Sequence, residues 1–90
     1  MAILIVDDDE DVRLVMEHVL IDAGYEVDTT GTASGGHKLL QDRSYDLVIA
    51  DGKLPDGTGM EIADEALEKS RGEIRVFGQA GDPVLDQFLN

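Results

Sequence analysis

The chain alternates between short, wholly apolar runs and longer segments in which apolar residues recur every three or four positions. Ala2-Ile3-Leu4-Ile5-Val6 is continuously apolar and rich in β-branched residues. Such a run predicts a strand buried on both faces, as in a parallel sheet. The acidic residues that follow open a helix, whose N-terminal dipole tolerates negative charge. This helix runs to about Ala23, and Gly24 supplies the stop signal. Val12, Val15, Met16, Val19 and Ala23 recur at helical spacing and are expected to face the sheet.

Glu26 to Thr30 reads as a second, shorter strand. Ala33 to Asp42 reads as a second helix, although Gly35 and Gly36 each cost about 1 kcal/mol relative to Ala. Asp46 to Ala50 is a third strand that ends at Asp51. Pro55, Gly57 and Gly59 predict a loop from Gly52 to Gly59, followed by a third helix from Met60 to about Ser70. Arg71-Gly72 breaks that helix, Ile74 to Phe77 makes a fourth strand, and Gly78 to Pro83 is a loop. Val84 to Leu89 adds a helical turn or two. Strand–helix alternation with short connections predicts an α/β fold with a parallel sheet and right-handed crossovers. No repeat, low-complexity segment or linker divides residues 1–90, which read as one domain.

Composition narrows the class. Hydrophobic content of 42% and charged content of 30% fit a soluble globular domain. No apolar run approaches the roughly 20 residues needed to span a bilayer. Asp7 follows so short an apolar stretch that no signal-peptide layout forms, and a cytoplasmic address is expected. Without cysteine there is no disulfide or thiolate metal site. The net charge of −13 argues against nucleic acid as a partner, because phosphate binding relies on Lys and Arg. It favours divalent cations and basic protein partners.

A solvated acidic surface accounts for most of the twenty acids, but not for Asp7-Asp8-Asp9-Glu10-Asp11 directly after an apolar strand. In an open parallel sheet, ligands sit beyond the carboxyl ends of the strands. Asp7 and Asp8 lie at that end of the first strand and Asp51 at that end of the third. If those strands are neighbours, three carboxylates converge, and a hard cation such as Mg²⁺ is the simplest reason to gather them. A metal-neutralised aspartate can then act as a nucleophile in phosphoryl transfer. The plainer reading of a single acid here is a helix cap, a role open to Asp8 or Asp9. Other acid-based motifs fit worse. An EF-hand loop counted from Asp7 puts Val12 where Gly is needed. Asp56-Gly57-Thr58 resembles the Asp-Gly-Thr of haloacid-dehalogenase-like phosphatases, but residue 54 is Leu where they carry a second Asp, and the segment lies past the third strand. There is no Gly-x-x-x-x-Gly-Lys-Ser/Thr loop, and spacing supports no Ser–His–Asp arrangement.

Three stretches together resemble the response-regulator receiver (CheY-like) family. They are Ile3-Leu4-Ile5-Val6-Asp7-Asp8 with Arg13, Tyr45 to Asp51, and Leu54-Pro55-Asp56-Gly57-Thr58-Gly59-Met60-Glu61-Ile62. The acid pair, the strand-terminal Asp, the Pro four residues later and the Gly eight residues later stand at family spacing. The resemblance implies a flavodoxin-like doubly wound sheet of strand order 2-1-3-4 and a role in two-component signalling rather than substrate turnover. It implies Asp51 as phosphoacceptor, and Asp8, Asp51 and the backbone carbonyl of Lys53 as Mg²⁺ ligands, with Asp7 acting directly or through water. It implies that Gly59 allows the turn that brings the loop over the site. The implied donor is the phosphohistidine of a sensor kinase or a histidine phosphotransfer protein, with no membrane partner.

The sequence also departs from the family. Ala80 stands at the switch position where receivers carry Ser or Thr. The chain reaches Asn90 before any fifth strand, its Lys, or a fifth helix, so it reads as a fragment or as a shortened, atypical receiver. In the second case Mg²⁺ binding survives while switching is impaired. Two further readings follow: a degenerate receiver acting as a phosphorylation-independent interaction module, and a Mg²⁺-dependent phosphatase, for which no water-activating group beside Asp51 is evident. His37 reads as a packed, hydrogen-bonded histidine and His18 as a surface residue. Leu14, His18 and Ile21 form one stripe of the first helix, offset from the sheet-facing one, that reads as scattered surface residues or as a contact for a phosphotransfer helix or a second subunit. An unpaired fourth strand predicts a homodimer or domain-swapped form.

Overall fold

The structure is a computed structural model, and it describes residues 1–69. Strand β1 (Ala2–Val6) leads to helix α1 (Glu10–Asp22), β2 (Glu26–Thr30), α2 (Ala33–Asp42) and β3 (Leu47–Ala50). Two short strands, β4 (Lys53–Leu54) and β5 (Gly57–Thr58), then precede α3 (Gly59–Lys69). β1 is central and pairs in parallel with β2 on one side and β3 on the other, giving the order β2-β1-β3. This agrees with the first three strands of the expected order. The strand expected at 74–77, the loop at 78–83, the turns at 84–89 and the switch position Ala80 lie outside the described residues.

The apolar run of β1 is explained by two cores, one on each face of the sheet. Ile3 and Ile5 point to one side and pack with Met16 and Leu20 of α1 and with Leu47 and Ile49 of β3. Ala2, Leu4 and Val6 point to the other side and meet α2, α3, Val48 and Ala50. Successive strand residues face opposite ways, so a strand covered on both faces has no polar positions to alternate with.

The helices follow from local signals. Asp9 caps α1, and its side chain accepts from the Asp11 and Val12 amides. Gly24, at φ 96°, ends α1 in a conformation that favours glycine. In α2 the two glycines are matched to their surroundings. A Cβ at Gly36 would stand 2.9 Å from Ile62 and 3.2 Å from Val6, so the helix can pack this closely only without one. His37 Nδ1 pairs with Glu65 Oε1, joining α2 to α3, as expected of a packed, hydrogen-bonded histidine.

At the amino ends of the strands, Ala2 and Asp46 exchange two hydrogen bonds. The Ala2 amide donates to Asp46 Oδ2, and the Asp46 amide donates to the Ala2 carbonyl, each at 2.8 Å. The Tyr45 hydroxyl donates to Asp28 at 2.6 Å, and burial together with that carboxylate raises its pKa. Arg43 lies over the Tyr45 ring and pairs with Glu26 and Asp28.

Two expectations are corrected. The sheet-facing stripe of α1 is Val12, Met16 and Leu20, whereas Val15 and Val19 are 63% and 41% exposed and Ala23 is also exposed. The apolar arc of α1 is broad, running from Val15 and Val19 through Val12 to Met16 and Leu20, so spacing alone does not say which of its edges meets the sheet. The segment 52–59 is also more than a loop. Lys53 pairs with Thr58 and Leu54 with Gly57 in an antiparallel hairpin, turned by Pro55 and Asp56 and anchored by the buried Leu54.

Candidate metal centre

Parallel register sets the position of the acids. Val6 is paired with Ala50, the Asp51 amide donates to the Val6 carbonyl at 2.8 Å, and the Asp7 amide donates to the Thr30 carbonyl at 3.0 Å. The chain therefore leaves β1 and β3 at the same edge. Asp7, Asp8 and Asp51 each bring a carboxylate oxygen to within 4.8 Å of the others. Capping of α1 falls to Asp9, so Asp8 stays with the cluster.

The three acids differ in environment. Asp7 is only 6% exposed, Asp51 is half-buried and Asp8 is exposed. Asp7 Oδ1 accepts from the Asp9 amide at 2.9 Å. Burial raises the Asp7 pKa, the Asp9 amide works against that rise, and the charges of Asp51, Asp8 and Asp9 add to it. At this spacing and an effective dielectric of 20, ionised carboxylates repel by about 3 kcal/mol per pair, and less where Asp8 reaches water. An all-oxygen set of hard donors suits a hard divalent cation such as Mg²⁺. Arg13 Nη1 donates to the backbone carbonyl of Asp7 at 2.7 Å.

The hairpin closes one side of the cluster. The Lys53 amide donates to Asp51 Oδ1 at 3.3 Å, which brings its peptide beside the site. Gly59 lies against the Asp51 backbone and its amide donates to the Gly52 carbonyl at 3.4 Å. Pro55 is exposed at the hairpin turn. Asp56 makes a tertiary contact that the sequence did not signal: its carboxylate accepts from the Ala33 and Ser34 amides at the start of α2. Those bonds hold its pKa below the usual carboxylate value. The only available signal was an Asp in a turn, which does not indicate a partner twenty residues away. On α1, Leu14 and Ile21 are 46% and 51% exposed and His18 is exposed.

A family model described as the response regulator receiver domain matches residues 3–84. The chain belongs to that family. The DNA-binding transcriptional regulator NtrC of Azospirillum brasilense is 36% identical over 84 residues, covering 93% of this chain and 17% of that protein. The receiver thus spans less than a fifth of that relative's length. Among solved structures, the response regulator TrrA of Thermotoga maritima in complex with Mg²⁺-BeF superposes with a TM-score of 0.74 at 26% identity, covering 97% of this chain and 95% of that one. A structure of histidine kinase ThkA in complex with TrrA gives a TM-score of 0.69 at 33% identity over 86% of this chain and 67% of the matched one. The fold is the flavodoxin-like receiver fold, and the chain is a receiver of two-component signal transduction, a signalling module. Among the described residues no helix is long and apolar enough to cross a membrane.

Proposed function

We propose that Asp51 accepts a phosphoryl group from the phosphohistidine of a sensor kinase or histidine phosphotransfer protein. The observation that carries this reading is the convergence of Asp7, Asp8 and Asp51 at the carboxyl ends of two adjacent strands. Asp8, Asp51 and the Lys53 carbonyl hold Mg²⁺, with Asp7 acting directly or through water. When bound, Mg²⁺ offsets the charge of the incoming phosphoryl group and of the carboxylates. An Asp51 carboxylate oxygen attacks phosphorus, the P–N bond of the donor breaks, and the bonding electrons return to the imidazole ring. The Lys53 amide, already on Asp51 Oδ1, orients the carboxylate for this attack. The related TrrA bound to Mg²⁺-BeF and in complex with a histidine kinase supports both the cation and the class of donor.

The exposed Leu14, His18 and Ile21 are the surface on which the donor protein docks. A second reading, a phosphorylation-independent interaction module, is favoured by Ala80, which offers no hydroxyl where receivers carry Ser or Thr. Titration with Mg²⁺ followed by thermal unfolding tests the site itself. At ten times the dissociation constant, binding to the folded state adds about 1.4 kcal/mol. In a chain of this size that raises Tm by about 5–10 °C. No shift at millimolar Mg²⁺ contradicts the proposal.

A further inference from the structure

Asp56 stands at the turn between β4 and β5, and both of its carboxylate oxygens are engaged by another element. Oδ1 accepts from the Ala33 amide at 2.7 Å and Oδ2 from the Ser34 amide at 3.0 Å, contacts that span 23 and 22 residues of chain. α2 also has a cap of its own, because Thr32 Oγ1 accepts from the Gly35 amide at 3.0 Å. The Asp56 contact therefore does something the local cap does not: it fastens the hairpin tip to the helix. Gly57 reinforces the junction, since a Cβ there would stand 2.9 Å from the Ala33 Cβ. The other end of the hairpin rests on Asp51, through the Lys53 amide on Oδ1 and through Gly59 against the Asp51 backbone.

We propose that Asp56 is a positioning residue for the Asp7–Asp8–Asp51 site, acting by holding the Lys53 peptide in place against Asp51. This rests on the reading of that cluster as a Mg²⁺ and phosphoryl site. A hairpin with two residue pairs is marginal by itself. Its geometry is set by its anchors, and a ligand-bearing peptide is only as well placed as the shell that holds it. Clamping the tip to α2 removes the swing that would carry the Lys53 amide and carbonyl away from Asp51. The same connection links occupancy of the site to the first turn of α2, and thermodynamic linkage makes the link reciprocal.

The test compares Mg²⁺ affinity, measured calorimetrically on the full chain, for the wild type, Asp56→Ala and Thr32→Ala. Both substitutions remove acceptors from the start of α2, but only Asp56→Ala releases the hairpin. The expected result is a loss of about tenfold in Mg²⁺ affinity for Asp56→Ala, with less than about a twofold change for Thr32→Ala. Equal losses in the two variants, or no loss in Asp56→Ala, overturn the proposal, because a purely structural cap lowers stability without selecting the metal site. Should Asp56→Ala fail to fold, Asp56→Asn, which keeps one acceptor, is read by the same criterion. Absence of Mg²⁺ binding in the wild type is a different outcome: it removes the reading of the site, and this role of Asp56 with it.

Discussion

The backbone carbonyl oxygen of Asp51 lies 2.4 Å from the point where a Cβ on residue 59 would stand. No such contact is tolerated in a folded chain, so residue 59 has to be glycine for β5 and α3 to return across the carboxyl end of β3. Gly59→Ala is expected to destabilise the fold by about 1–3 kcal/mol through overpacking. It should also weaken Mg²⁺ binding, because the backbone that moves is that of Asp51. Urea unfolding with and without Mg²⁺ measures both effects.

Charge removal in the cluster should separate stability from function. Asn at position 7 can keep the hydrogen bond from the Asp9 amide while removing a charge from a buried site. Asp7→Asn is therefore expected to stabilise the metal-free protein, by about 1 kcal/mol or 4–8 °C in Tm. It should also reduce the further rise that Mg²⁺ produces in the wild type. Differential scanning calorimetry of both proteins with and without Mg²⁺ checks the crossing of the two effects.

Asp56 predicts a pH dependence. Its folded-state pKa is lowered, chiefly by the Ala33 and Ser34 amides, so the unfolded state binds the proton more readily. Its contribution is then fully present above the ordinary carboxylate value and is lost as pH falls through that value and the lowered one. Asp56→Ala should melt below the wild type at neutral pH, and the gap should close in acid. Thermal melts from pH 7 down to about pH 3 follow it.

Much of this architecture was legible in the sequence because strong local signals and tertiary demands coincide. The uniform apolar run of Ala2–Val6 can only be a strand covered on both faces, and the acids at its end then fall at the carboxyl edge of the sheet. Glu26–Thr30 and Ala33–Asp42 formed as expected, the latter despite two glycines, because close packing against Ile62 and Val6 makes the missing side chain at Gly36 an asset. The rotation of α1 was not legible. Val15, Val19, Val12, Met16 and Leu20 form one broad apolar arc beside Arg13, Glu17 and Glu10, and only packing against Ile3, Ile5 and Leu47 selects Met16 and Leu20 over Val15 and Val19. Nor was the hairpin at 53–58. Two strands of two residues each carry no periodicity, and their order comes from contacts with α2, Asp51 and the core.

The α1 surface separates docking from chemistry. Leu14 and Ile21 are exposed apolar residues outside the carboxylate cluster of Asp7, Asp8 and Asp51. Replacing both with Glu is expected to slow phosphotransfer from a phosphorylated histidine kinase domain by about tenfold or more, the scale of losing an interface anchor. Labelling by a small phosphodonor such as acetyl phosphate should be unchanged, because the acids are intact. Parallel rate measurements with the two donors test this, and equal slowing with both donors counts against a docking role.

Asp51 is proposed to take the phosphoryl group in a Mg²⁺-dependent reaction. This is tested most directly by incubating the chain with acetyl phosphate and Mg²⁺ and then locating any adduct by intact-mass and peptide mass spectrometry. The expected result is one added phosphoryl group, on Asp51, lost when Mg²⁺ is chelated beforehand and absent in Asp51→Asn. A folded, Mg²⁺-binding wild type that takes up no phosphoryl group, or an adduct that persists in Asp51→Asn, would contradict it.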